Sequence, residues 1–587
     1  MINKLPILLL LGLFFSQGLN FNLESKYGNG TNVNEFTQDE EDYNYFENIL
    51  DINFSYNNLF FYTQLEYSNS PIYGLDKTMI KDLANSYVLD YSGSSLTLKY
   101  GHIQTLYGYG LALNAFQDQI TDFDNRAKGV EFKYSPNDIM DIFYVTGSGK
   151  YGMKSSGDKR YNDLLFNHEL DFYGAQFYTS FGDFIVSNAK NKTYYAAGML
   201  NDVSINRPFL GSDTRLSDDL ESFQVESFSN FNELANSDSE VNLSSLNIGY
   251  SNTLGVFDIC YEKSINRYNK ILRENDMEDG YYDYFSLASN IFEIDFLYEF
   301  KDYNMLYYMP ISSNPPLGFM ETTSILMSRN QHAINFSDEI GHQLEGRFTL
   351  FSDISFLVNL SMGMKHYGVQ YQEFDFDTFE IIEGTYSKVN WNDVIDMNFL
   401  NKDLVFHKPF RNFYAEASGW SSSNKFYYKF GYGSQYSYDN NSGKNNQSFT
   451  IPAQFVYGFD NNNSLTIYYE YQKLNSLSII NSSDWNDYYT SKEYDNNYLS
   501  LSYSISNFGS LTYFYDEESL DEFSSDSFLR NKTNKWTGFD ISFKISDSSQ
   551  LSIFKGSQKG GLVCANGICA VQPSFENGTK ITFRTLF

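Results

Sequence analysis

Two thiols with four residues between them carry the most specific chemistry in this sequence. Cys564 and Cys569 bracket Ala565-Asn566-Gly567-Ile568. Asn-Gly is the favoured pair for a two-residue type I′ hairpin turn. Such a turn makes Ala565 and Ile568 a hydrogen-bonded pair and sets the cysteines opposite each other as the next, non-hydrogen-bonded pair. Pairs of that kind have Cα atoms about 4.5–5.5 Å apart, within the span of a disulfide. The expectation is an oxidised pair at the tip of an exposed loop, contributing little stability because the closed loop is short. A metal site fits less well, since two thiolates alone leave tetrahedral zinc incomplete. Cys260 stands by itself in a strand-like stretch.

Other reactive residue types form no known catalytic pattern. The six histidines, His102, His168, His332, His342, His366 and His407, show neither helical metal-pair spacing nor a legible Ser-His-Asp order. No catalytic residue, metal or cofactor is expected. Tyr107-Gly108-Tyr109-Gly110-Leu111 has the look of a phosphate loop, but it lacks the Lys-Ser/Thr ending and the strand-to-helix context. The connection 104–126 gathers Asp118, Asp122, Asp124 and Arg126. Two readings stand side by side: an inward fold that makes a mixed-charge constriction, or a surface loop in which Asp124-Asn125-Arg126 is an ordinary turn.

The scaffold for these residues is written as alternation. Tyr and Phe number 50 and 53, yet the mean hydropathy is only −0.42. That combination suits strands with one face to lipid and one to water. Leu344, Gly346, Phe348 and Leu350 alternate before Ser352-Asp353, and Ile354, Phe356, Val358 and Leu360 alternate after it. Similar tight links are read at 420–423, 460–463, 507–509 and 547–549. In the first half they are read at 57–58, 92–94, 135–138, 181–183, 252–253 and 301–302. Long polar connections separate the pairs, over 364–410, 434–446, 474–495, 517–532 and 557–577. Short turns on one side and long loops on the other mark a transmembrane β-barrel with periplasmic turns. Eleven hairpins, a first strand near 21–28 and a last strand make about 24 strands, an even number. If residues 193–200 and 220–230 form a further hairpin the count is about 26; otherwise 191–240 is one long loop.

The expected fold is therefore all-β: a single large antiparallel transmembrane β-barrel over 19–587. A signal peptide over 1–18 precedes it, with Lys4, the apolar run Leu5 to Phe15, and Ser16-Gln17-Gly18 as its cleavage region. On the strands, the parity opposite the aromatic face carries Asp51, Glu66, Glu131, Glu345, Glu416, Glu470 and Asp540. It also carries Lys99, Lys133, Arg347, Lys429, Lys544, Lys580 and Arg584. These charges are expected to line the lumen. Acids and bases balance there, which argues against a ring of one sign that selects ions by charge. The net charge of −32 then falls on the connections, as in Asp516, Glu517, Glu518, Asp521, Glu522 and Asp526. It also argues against nucleic acid, whose binding needs clustered cations.

The final alternation, Ile581, Phe583, Thr585 and Phe587, resembles the last strand of bacterial outer-membrane barrels. The resemblance implies that Phe587 is an assembly signal for the barrel-insertion machinery. The stretch Gly101 to Tyr134, with its Gly-x-Gly-Leu segment and Asp124-Asn125-Arg126, resembles a family of large, uncharacterised outer-membrane proteins of Gram-negative bacteria, known only as a domain of unknown function. Gly560-Gly561-Leu562-Val563-Cys564 through Cys569, Pro573 and Phe575 resembles that family's last loop, and Tyr308-Met309-Pro310 is a looser match. Asn114 stands where the family has a basic residue. The resemblance implies a barrel embedded in outer-membrane lipid and carries no substrate. Two functions are expected as rivals. One is a porin-like or transporter-like barrel passing small solutes. The other is a non-conducting barrel that scaffolds an unidentified surface or secretion partner through its acidic loops.

Overall fold

The strand Lys128–Asn137 shows how the wall is built. Val130, Phe132 and Tyr134 each turn a large apolar surface outward, while Glu131 between them is buried. Side chains alternate faces along a strand, so this pattern sets an apolar exterior against a polar lining. The computed structural model describes residues 18–33, 40–69, 84–118, 123–153, 166–195, 222–223, 239–269, 279–305, 322–330, 332, 338–350, 353–370, 373–375, 380–382, 384–389, 394, 407, 409–439, 444–459, 462–480, 488–524, 530–565, 568–572 and 574–587. The leader read over 1–18 falls almost entirely outside them.

The barrel strands are β1 (Leu19–Val33), β2 (Glu40–Tyr56), β3 (Leu59–Asn69), β4 (Ala84–Ser92), β5 (Leu96–His102), β6 (Lys128–Asn137), β7 (Met140–Met153) and β8 (Phe166–Thr179). Then come β9 (Gly182–Tyr195), β10 (Ser239–Leu254), β11 (Phe257–Asn269), β12 (Asp279–Ile291), β13 (Ile294–Asn304), β14 (Asp338–Leu350), β15 (Ile354–Met364) and β16 (Phe410–Trp420). The last are β17 (Phe426–Asp439), β18 (Lys444–Gly458), β19 (Asn463–Ile480), β20 (Tyr488–Ile505), β21 (Gly509–Ser524), β22 (Arg530–Ser546), β23 (Ser549–Gln558) and β24 (Phe575–Leu586). Each pairs antiparallel with its sequence neighbours, and β24 pairs with β1 from Asn22↔Leu586 to Thr31↔Glu576. The sheet has no free edge, as a β-structure in lipid requires. At the seam, the Phe21 and Phe587 amides donate to each other's carbonyls at 2.7 and 2.9 Å, and their rings lie 5.7 Å apart.

The closed wall has 24 strands. Residues 222–223 do not join it; they pair with 384–385 in a small separate sheet. Three expectations are corrected. The link read at Asn252-Thr253 lies inside β10, and the chain turns instead at Gly255-Val256, where Gly255 has φ +67°. The link read at Lys301-Asp302 lies in mid-strand, and the chain turns instead at Phe292-Glu293, both with positive φ (53° and 64°). Phe and Glu are not turn-forming types, so the sequence carries no signal there. Strands on the late side also run longer than a bilayer needs. About 9–11 residues cross it, whereas β19 and β20 have 18 each. Asp516, Glu517, Glu518, Asp521 and Glu522 are therefore part of β21, not of an outer loop.

Candidate functional site

The described residues of the connection from β5 to β6, 103–118 and 123–127, lie against the inner wall. The apolar residues Ile103, Tyr107, Ala112 and Leu113 of this segment pack on Phe143, Val145, Leu170, Phe172, Ile185 and Ala189, the inward residues of β7, β8 and β9. Tyr107 stacks on Phe143 with ring centroids 4.1 Å apart, a pairing worth about 0.5–1.5 kcal/mol beyond the area it buries. Its hydroxyl donates to Glu131 Oε1 at 2.8 Å, as does Thr105 Oγ1 at 3.1 Å.

The glycine turn inside this segment does bind an anion, and the anion is the protein's own. The amide of Tyr109 donates to Glu262 Oε2 at 2.5 Å, and that of Ala112 to Glu262 Oε1 at 3.0 Å. Successive N–H groups in a turn make a concavity for a negative charge. Gly108 has φ +63°, and a Cβ there would come within 2.5 Å of the Glu262 carboxylate. Backbone conformation and space both require glycine. Glu262 comes from the middle of β11 and is fully buried. Its pairing with the turn spans about 150 residues of chain.

A second inward segment uses the same device. Ser324 caps a four-residue helix, Ile325–Ser328. The amides of Ile325 and Leu326 donate to the two oxygens of Glu470 on β19, at 2.9 and 2.6 Å. Gln435 and Gln472 donate to the carbonyls of Met327 and Leu326, both at 3.1 Å. Arg329 forms a two-point ion pair with buried Asp516 of β21, at 3.2 and 2.5 Å. The backbone of the hairpin strand Gly561–Ala565 lies beside this helix.

Among the constriction candidates, Arg126 grips Asp124 through Nε and Nη2, each at 2.9 Å, and donates from Nη2 to Ser86 at 2.9 Å. Asn125 folds back on the segment, donating to the Asn114 carbonyl at 2.8 Å and accepting from the Phe116 amide at 2.7 Å. Arg126 borders a hollow of about 310 Å³ against β1–β3, with Gln64, Gln104 and Gln117 also on its lining. Asp118 is buried nearby in the segment; Asp122 lies outside the described residues.

Most of the charges read on the lumen parity sort into pairs. Glu131 meets Lys99 at 2.9 Å, Lys133 meets Asp141 at 2.7 Å, and Glu345 meets Arg347 at 2.7 Å. Glu416 meets Lys429 at 3.0 Å, Lys544 meets Asp547 at 2.8 Å, and Arg584 meets Glu24 at 2.9 Å. Asp540 and Lys580 border a second hollow between β21 and β24.

At the ends of β13–β15, His366 sits between Asp338, 2.8 Å from Nδ1, and Asp302, 2.9 Å from Nε2. Beside it, buried Lys301 pairs with Glu339, which His332 also contacts at 2.8 Å. Among the described residues no three of His, Cys, Asp or Glu converge to hold a metal ion.

Cys564 and Cys569 are Cα partners in the last hairpin, in the register expected from Asn566-Gly567. Their side chains and the turn itself lie outside what the structure describes. The position of this hairpin beside the inward helix differs from a tip standing free in solvent. Cys260 is buried as a free thiol. Sequence reasoning missed Glu262, which no local pattern links to its glycine turn, and the role of Glu470.

An apolar outer belt, a polar lining and a closed wall place the protein in the outer membrane, in contact with its lipid. Solved structures with similar layouts include the siderophore receptor PirA from Acinetobacter baumannii (9% identity, covering 97% of this chain and 80% of that one, TM-score 0.41). Others are the translocation pore of the P pilus usher PapC (8%, 97% and 99%, 0.36) and OccK9 (OpdG) of Pseudomonas aeruginosa (9%, 75% and 99%, 0.36). No curated protein matches the chain. Over residues 13–587 the sequence matches the model of the Family of unknown function (DUF6029), and the chain belongs to that family.

Proposed function

We propose that this protein is a porin-like or transporter-like barrel that passes small polar solutes, with residues 103–118, 123–127 and 322–330 narrowing its lumen. One observation carries the reading. Two buried wall carboxylates, Glu262 and Glu470, each accept two backbone amides from a segment folded against the inner wall. Hydrogen bonds to a charged group contribute about 1.5–3 kcal/mol apiece. Fastening of that strength is wasted on a barrel whose only work is at its outer surface. It suits one whose bore must be held at a set width. In this reading Asp124 and Arg126 stand at the narrowing as a neutralised pair, and among the described residues the paired lumen charges form no ring of one sign to select by charge.

The test is single-channel recording in planar bilayers. The unmodified protein is expected to give discrete, small steps. Glu262→Ala and Glu470→Ala, each confirmed as folded by heat-modifiable migration, should give larger ones. A silent barrel in all three forms would support the scaffold reading and overturn this one.

A further inference from the structure

Of the eleven charges read on the lumen parity beyond Asp51, Glu66 and Lys99, nine are engaged by an ion pair or by backbone amides. Asp540 and Lys580 are the exceptions, and both border the same hollow of about 230 Å³. Among the described residues Asp540 has no hydrogen-bond or ion-pair partner. Lys580 has no carboxylate: its Nζ donates to Gln558 at 2.7 Å and lies over the rings of Phe575 and Phe554, 4.4 and 5.6 Å from their centroids.

The register explains the arrangement. Asp540 is opposite Phe554, and Phe554 is opposite Lys580, so acid, ring and base form one row across β22, β23 and β24. The next row is Gly538, Gly556 and Gly578. A Cβ on Gly538 would come within 2.5 Å of the Phe554 ring and 2.7 Å of Phe514. Those two rings, stacked at 5.4 Å, lie down over the glycine and leave the hollow open beside them. Strands two apart put the Asp540 and Lys580 backbones roughly 9.6 Å from each other. Both side chains border the one hollow, so a single small ligand carrying both charges can reach them through charge-assisted hydrogen bonds of about 2.8 Å at each end.

We infer that this hollow recognises a small zwitterion of the α-amino acid class, its ammonium on Asp540, its carboxylate on Lys580 and its side chain against Phe514. This rests on the solute-passing reading and names a solute class for it. Titration calorimetry on the detergent-folded full chain tests it with three probes: L-phenylalanine, phenethylamine and 3-phenylpropionate. Saturable binding of L-phenylalanine, at least tenfold tighter than either singly charged analogue, is expected. Asp540→Asn and Lys580→Met should each weaken it tenfold or more. Equal affinity for all three probes, or no binding of L-phenylalanine to the unmodified protein, overturns the inference without any variant. Conductance in plain potassium chloride reads the pore separately. A conducting barrel indifferent to L-phenylalanine sinks this site alone, and a binding but silent barrel sinks the transport reading alone.

Discussion

Gly108 shows what a single residue decides here. Its left-handed backbone costs a side-chain-bearing residue about 1–2 kcal/mol, and a Cβ would strike the carboxylate that the turn encloses. Gly108→Val should therefore detach the turn from Glu262 while the barrel still forms. Amide exchange at Tyr109 and Ala112 is expected to accelerate by at least tenfold, with wall amides unchanged. His366 is the residue through which pH should act. Burial pushes its pKa down, but hydrogen bonds and attraction from Asp302 and Asp338 outweigh that and raise it to about 9. A group raised on folding stabilises fully below its unfolded value near 6.5. That stability is lost as pH climbs through the folded value, by roughly 3 kcal/mol across the interval. Protection factors at the outer ends of β14 and β15 should fall between pH 7 and 10. In His366→Phe they should be flat with pH, and a flat profile in the unmodified protein would sink the assignment. Neither role was legible beforehand. Glu470 was on the expected lumen parity, but its partner lies some 145 residues away, and nothing in the spacing of His366 signals two aspartates.

At the scale of elements, strands were the most readable feature, because a lipid-facing stripe imposes period two on every one of them. The turn at Phe292-Glu293 was not readable, since tertiary closure of β12 on β13 forces positive φ on residues that do not advertise it. Strand ends were misjudged for a related reason. Above the bilayer a strand loses its apolar stripe but keeps its ladder, so β19–β22 continue through polar sequence that resembles loop. The seam between β24 and β1 depends on the last residue, whose amide and carbonyl both bond to Phe21. Phe587→Asp removes an outward aromatic at the membrane boundary and is expected to reduce heat-modifiable, membrane-embedded protein several-fold; normal levels would count against a role in assembly. The last hairpin carries a further prediction. Cys564 and Cys569 are Cα partners in register, and non-reducing mass spectrometry should find them joined. Because the hairpin lies beside the helix Ile325–Ser328, replacing both with Ser should loosen that helix more than the barrel wall. Two free thiols in freshly isolated outer membranes would show the pairing to be wrong.

For the whole molecule, the question is how two inward segments share one bore. The first takes its partners from β3 to β12, among them Gln64, Ser86, Phe143, Phe172 and Glu262. The second takes its partners from β17 to β21, among them Gln435, Glu470 and Asp516. These are different arcs of one closed wall. Obstructions in series behave differently from obstructions side by side. In series, removing one leaves the other in control, and conductance changes little until both are gone. Side by side, each removal opens its own share of the cross-section, and the gains add. The separate arcs favour the second case. Glu262→Ala and Glu470→Ala are expected to raise single-channel conductance independently, and the double variant should show the sum of the two increments. Interacting sites would instead give a coupling term. A double variant that greatly exceeds that sum would mean that the segments gate one path in sequence, and that the barrel is a transporter with two closures in place of a porin with a shared sill.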